Sequence, residues 1–165
     1  MSKLRLAGTI GESIVDGPGL RFVIFAQGCP HHCAGCQTPQ TFDPNGGYEE
    51  DSEKILKEIK SNPLLQGVTF SGGEPFMQAR RFAELAEKIH DMNLNVMVYT
   101  GYLFEDLLAT DKRDARNFLQ NIDILVDGPF VKEKKNLLLK FKGSENQRII
   151  DVKSSLEKNK IIVVG

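Results

Sequence analysis

The sequence has no apolar run approaching the roughly 20 residues that a membrane-spanning helix needs. It also lacks a secretory leader pattern, because residues 1–10 mix Lys3 and Arg5 with short apolar pairs and hold no apolar central stretch. A cytoplasmic protein with no membrane partner is therefore expected. Neither sign of charge is in excess. Lys and Arg number 21 against 22 Asp and Glu, a net charge of −1, which argues against a nucleic-acid footprint or an anionic-membrane binder. There is no internal repeat, low-complexity tract or linker. With 165 residues, 41% hydrophobic and 26% charged, one globular domain over 1–165 is expected. Finally, cysteine is absent outside one short stretch.

That stretch is Cys29–Cys36, which holds all three cysteines. Three thiols cannot pair off among themselves, and a cytoplasmic protein has little use for a disulfide. Core cysteines scatter along a chain, whereas these crowd into a loop with Pro30, His31, His32 and Gly35. The spacing is Cys29-x-x-x-Cys33-x-x-Cys36. Iron–sulfur clusters are normally held by four thiolates. Three thiolates on four irons leave one iron able to take a small molecule bearing an amine and a carboxylate. S-adenosylmethionine is such a molecule, and one electron delivered to its sulfonium would release an adenosyl radical. The alternative is zinc held by the same cysteines with His31 or His32. Zinc ligand pairs are usually further apart along the chain, so the compact loop favours a cluster.

Strands and helices alternate around this loop. Apolar runs predict strands at 21–27, 67–71, 95–100 and 122–126, with closing strands at 147–152 and 160–164. Helical periodicity predicts helices at 51–61, 76–92, 104–108 and 115–119. The class is α/β with parallel βαβ units. An open doubly wound sheet fits, and so does an incomplete parallel (β/α) barrel, since a full barrel takes about 250 residues. Both place ligands at the carboxyl ends of the strands. The loops there are Gln27–Gln37, Ser71–Pro75, Thr100–Tyr102 and Asp127–Phe130.

The loop Ser71-Gly72-Gly73-Glu74-Pro75 joins a strand to a helix. Its glycines and Pro75 suit a helix start. They also leave backbone that a ligand can approach, with Glu74 placed to accept from an ammonium group. Its nearness to the cysteine loop favours the second reading. Asp127 suits either ribose hydroxyls or a turn. His90, near a helix end, suits the helix dipole. Lys132–Lys142 carries five lysines against one Glu and reads as a solvated face, with partner docking as the alternative.

The cysteine spacing followed by Gly72-Gly73-Glu74-Pro75 resembles the radical S-adenosylmethionine superfamily. Val126-Asp127-Gly128-Pro129-Phe130 and Asn146-Gln147-Arg148, with Asp16–Phe22, Gln27–Pro30 and Val98–Tyr102, narrow the resemblance. They point to the activating proteins of anaerobic ribonucleoside-triphosphate reductase. The resemblance implies a partial (β/α) barrel, a [4Fe–4S] cluster, S-adenosylmethionine, and a low-potential donor such as reduced flavodoxin. It also implies a protein partner, a reductase on which a backbone glycine becomes a radical. By position it implies that Gly35, Cys36 and Gln37 meet the nucleoside and Gly73 the methionine end. Gln37 and Glu145 depart from the residues frequent in the family. The competing readings are a small-molecule enzyme of the same superfamily (7-carboxy-7-deazaguanine synthase-like), a non-catalytic iron–sulfur or zinc module, and the longer activase of pyruvate formate-lyase.

Overall fold

The structure is a computed structural model that describes residues 3–36 and 39–165. One seven-stranded mixed sheet forms its centre. In chain order the elements are β1 (Lys3–Ser13), β2 (Arg21–Ala26), β3 (Tyr48–Asp51), α1 (Ser52–Lys60), β4 (Gly67–Gly72), α2 (Ala79–Asp91), β5 (Asn95–Tyr99), α3 (Phe104–Ala109), α4 (Arg113–Gln120), β6 (Ile124–Asp127), β7 (Arg148–Asp151) and α5 (Val152–Lys158). Across the sheet the strands run β3-β1-β2-β4-β5-β6-β7. The inner four, β2, β4, β5 and β6, are parallel, as expected. The outer pairings β1–β3, β1–β2 and β6–β7 are antiparallel, so the sheet is not wholly parallel. The reason is local. β1 turns directly into β2 through residues 14–20, and a direct return gives an antiparallel pair where a parallel one needs a crossover.

Side chains alternate across a strand, and the two faces divide cleanly. Phe22, Ile24, Val68, Phe70, Val96, Val98, Leu125 and Ile150 pack with residues from every helix, among them Ile55, Phe82, Ile89, Phe104, Phe118 and Val152. The opposite parity gives a second cluster of Met97, Val126 and Ile149, with Tyr99, Ile124 and Phe141 against it and no helix residue in it. Helices therefore cover one face only. The amino-terminal strand ends are pinned by Arg21, which is fully buried. Its guanidinium donates to Thr69 Oγ1 (2.7 Å), the Pro18 carbonyl (3.0 Å) and the Val68 carbonyl (3.1 Å), and also to Asn95 Oδ1. Burial brings its pKa down to about 10.

Four elements differ from expectation, one of them β3, whose sequence Tyr48-Glu49-Glu50-Asp51 holds no apolar run. β1 went unread because Gly8 and Gly11 interrupt its alternation, although Leu4 and Leu6 are fully buried. The strand expected at 147–152 stops at Asp151, whose side chain caps α5 by accepting from the Ser154 amide at 3.0 Å. The strand expected at 160–164 amounts to one bridge between Val163 and Ile150. No helix among the described residues is long and apolar enough to cross a membrane.

Candidate functional site

The four parallel strands end at Ala26, Gly72, Tyr99 and Asp127, and the loops that follow are bound to one another. The Gly73 amide donates to the Ala26 carbonyl (2.8 Å) and the Glu74 amide to the Gly28 carbonyl (2.7 Å). The Thr100 amide donates to the Val126 carbonyl (3.0 Å) and the Gly128 amide to the Tyr102 carbonyl (2.9 Å). All four loops expected to form a site are thus one hydrogen-bonded unit.

Glu74 is its centre. Fully buried, it caps the turn at 75–78 by accepting from the Phe76 amide (3.1 Å). It also accepts from Thr100 Oγ1 (2.9 Å) and the Gly101 amide (2.8 Å), and its Oε1 lies 2.6 Å from His31 Nε2. The His31 ring meets Tyr102 edge-on at 4.6 Å and lies where a side chain on Gly101 would begin. His32 stacks on Phe42 at 4.5 Å. His31 is thus engaged with Glu74, and the His32 ring with Phe42.

Cys29, Cys33 and Cys36 form no disulfide and are half-buried in this loop. The Cys29 amide donates to the Phe42 carbonyl (3.2 Å) and the Cys36 amide to the Cys33 carbonyl (3.1 Å). Burial pushes the Cys29 thiol up, an effect that a coordinating metal reverses by deprotonating the thiol. Among the described residues, no three His, Cys, Asp or Glu side chains are drawn together tightly enough to hold a metal ion. Three soft thiol donors in one compact loop fit a thiolate-held cluster better than a closed tetrahedral zinc site, which takes a fourth protein ligand.

The glycines have packing duties as well. A Cβ on Gly73 would stand 2.4 Å from the Gly28 carbonyl oxygen. Gly72 has φ +89, and a Cβ there would stand 2.7 Å from the Ala26 amide and carbonyl. Only glycine lets β4 end against the start of the cysteine loop. Gly35 has φ +75 and lies over Phe130 and Lys132. Gln37 falls outside the described residues. Cys36 and Gly72 line a cavity of about 360 Å³ together with Phe25, Ser71 and Tyr99 from the helix-free face, Val15 and Asp16, and Phe130, Leu139, Phe141 and Gln147. That volume lies within the usual range for small-ligand sites.

Asp127, expected either at ribose hydroxyls or in a turn, is fully buried. Its oxygens accept from Arg148 in a forked pair (Nε at 3.0 Å) and from the Phe104 amide (2.8 Å). Arg148 also pairs with Glu105, and these partners raise its pKa. Gln147 accepts from the Gly143 and Ser144 amides and donates to the Gly128 carbonyl, and Asn146 donates to the Pro129 carbonyl. The Asn146-Gln147-Arg148 triplet thus clasps the chain to the end of β6. Sequence reasoning missed this role of Arg148, whose only signal was membership of that triplet.

Residues 15–150 match the family described as 4Fe-4S single cluster domain. The anaerobic ribonucleoside-triphosphate reductase-activating protein of Vibrio cholerae is 33% identical, covering 82% of this chain and 90% of that one. Its namesake from Enterobacteria phage T4 is 33% identical over 82% of this chain and 86% of that one, and that from Escherichia coli K12 is 31% identical over 81% and 90%. Among solved structures, QueE from Escherichia coli aligns with a TM-score of 0.48 at 20% identity, covering 60% of this chain and 53% of that one. With a 4Fe-4S domain profile spanning most of its length, and relatives above 30% identity over most of both chains, this chain belongs to the family of anaerobic ribonucleoside-triphosphate reductase-activating proteins.

Proposed function

We propose that this chain is a cytoplasmic activase that cleaves S-adenosylmethionine reductively at a [4Fe–4S] cluster and leaves a glycyl radical on anaerobic ribonucleoside-triphosphate reductase. The observation that carries the reading is the three-thiol loop bonded to the Gly72-Gly73-Glu74 strand end, beside a cavity lined by both Cys36 and Gly72. Cys29, Cys33 and Cys36 would hold the cluster. When bound, it supplies one electron at low potential and an iron open to the amine and carboxylate of S-adenosylmethionine. Electrons would reach it from a donor such as reduced flavodoxin.

The chain's own residues bind and orient. The Gly72 and Gly73 backbone would receive the methionine end, with the fully buried Glu74 positioning that backbone rather than touching the ligand. Glu74 is held in place beforehand by Thr100 and the Gly101 amide, so little reorganisation is left for binding. Gly35, Cys36 and Gln37 would face the nucleoside. Asp127 has no part in this assignment, since Arg148 and the Phe104 amide already engage it. We take the sheet as an incomplete barrel. Support comes from the helices covering one face only, where a doubly wound sheet carries them on both. A mouth left open needs a second wall to exclude water from a radical, and a protein substrate supplies one.

The test is anaerobic reconstitution with iron and sulfide, followed by incubation with reductant and S-adenosylmethionine, with and without the reductase. Spin resonance should show a cluster signal altered by S-adenosylmethionine. It should also show a persistent radical on the reductase, lost when its radical glycine is replaced by alanine. Turnover of a free nucleotide without any protein partner would sink the proposal.

A further inference from the structure

The cavity that holds Cys36 and Gly72 is flanked by apolar side chains standing in solvent. Leu137 is 82% exposed and Leu138 93%, while Ile14 and Val15 in the β1–β2 loop are each 73% exposed. Leu139 and Val15 line the cavity itself, so these residues extend its rim outward from two separate loops.

The leucines are held in position. Asn136 Oδ1 accepts from the Leu138 amide (2.9 Å), and the Leu139 amide donates to the Asn136 carbonyl (3.2 Å). The neck of the loop is closed by a bridge between Lys135 and Ser144 and by the Glu145 amide on the Lys134 carbonyl (2.9 Å). Its base is the Gln147 clasp on Gly128, which fixes the loop to the end of β6. A merely solvated face has no need of two adjacent leucines presented this way. Ordered apolar residues in water mark a surface that another molecule covers.

The charge around them is one-sided. Residues 132–142 carry five lysines against Glu133, in a chain whose net charge is −1. Among the described residues, none of these lysines has an ion-pair partner. Uncompensated cations beside leucines suit an occupant that is apolar at its centre and acidic at its flanks. A bilayer has the same two properties, but seated here it would close the cavity against any protein substrate.

We infer that the 131–143 loop, with Ile14 and Val15, is the docking surface for the radical-accepting protein, which brings its glycine to the cavity on an apolar segment with acidic flanks. The identity of that partner rests on the proposed function. The experiment uses reconstituted holoenzyme and the same organism's anaerobic ribonucleoside-triphosphate reductase, with variants L137S/L138S and K134E/K135E. Anaerobic interferometry reads affinity, and spin resonance reads the rate of radical formation against reductase concentration.

Each variant should keep its iron content and its reductant-driven cleavage of S-adenosylmethionine without partner. Each should bind the reductase about tenfold more weakly or worse, with KM for the reductase raised and the saturating rate kept. The lysine variant should also lose most of the salt dependence of binding. Unchanged affinity in both variants overturns the docking surface and leaves the proposed function standing, because the wild-type radical is read in the same assay. Cleavage by wild type with no radical on the reductase overturns the proposed function and the docking surface together. Binding to vesicles of phosphatidylcholine and phosphatidylglycerol that L137S/L138S abolishes, with reductase affinity intact, assigns the patch to a membrane and overturns the inference.

Discussion

His31 and Glu74 meet at 2.6 Å across the seam between the cysteine loop and the glycine loop. Glu74 is fully buried, so His31 is one of the few groups that satisfy it. Removing one partner of a buried polar group costs about 1–3 kcal/mol. His31→Ala should lower stability by about that much while iron per chain stays near the wild-type value. His32, which stacks on Phe42 outside this pairing, should tolerate Ala with less loss. Urea titration and iron analysis on the same preparations check both. Loss of iron from His31→Ala would make His31 a ligand.

Each of Cys29, Cys33 and Cys36 is expected to be indispensable. His31 Nε2 is already held by Glu74, and losing one thiolate leaves two where such clusters are normally held by four. Cys→Ala at any one position should abolish the iron–sulfur absorption after anaerobic reconstitution. A single variant that keeps full iron content would remove that cysteine from the ligand set.

Gly73→Val is expected to damage the cysteine loop as well as S-adenosylmethionine binding. Its Cβ would lie 2.4 Å from the Gly28 carbonyl oxygen, one residue from Cys29. The obstacle is backbone, which moves only by displacing the loop. Iron content should fall together with affinity. Gly8→Ala, where an added Cβ meets nothing within 4 Å, is the matched control and should behave as wild type. Normal iron with lost affinity in Gly73→Val would instead confine the effect to the ligand.

The cysteine loop, the glycine loop and the four parallel strands were legible because each has a compact local signature: thiol spacing, Gly-Gly-Glu-Pro, and short apolar runs. What stayed hidden depends on distant partners. Leu4 and Leu6 read as a strand only once β2 and β3 lie beside them. Asp127 read as either a ligand or a turn because its partner Arg148 is far along the chain. His90 does lie in the last turn of α2, as the dipole reading has it, but its Nε2 also faces Asp123 Oδ2 at 2.7 Å. Pairings of this kind leave no period and no spacing in the sequence.

Arg148→Met should be among the most destabilising single changes outside the core. It strands the fully buried Asp127 carboxylate with only the Phe104 amide. Breaking a buried pair from one side costs about 3–5 kcal/mol. Glu105 also pairs with Arg148, but its side chain is 55% exposed, so Glu105→Ala should cost about 1 kcal/mol or less. Denaturant midpoints of the two variants decide the matter, and equal losses would refute the assignment.

Asp123 ties three elements together and should make stability sensitive to acid. Its carboxylate accepts from the Val96 amide (2.8 Å) at the start of β5, faces His90 at the end of α2 (2.7 Å) and pairs with Lys153 of α5 (2.9 Å). Burial alone would raise its pKa, but the Val96 amide, His90 and Lys153 together hold it below the usual carboxylate value. A group whose folded pKa is depressed contributes stability above its unfolded pKa, about 3.9 for Asp. That contribution is lost as pH falls through the lower folded value. Asp123→Asn should therefore cost about 1–2 kcal/mol at pH 7, mainly through the lost charge-assisted contacts. The gap between wild type and variant should close progressively as pH falls below about 4. Urea midpoints of both proteins across that range test the sign. A gap that widens as pH falls below about 4 would show that Asp123 is not held in its charged form by these partners.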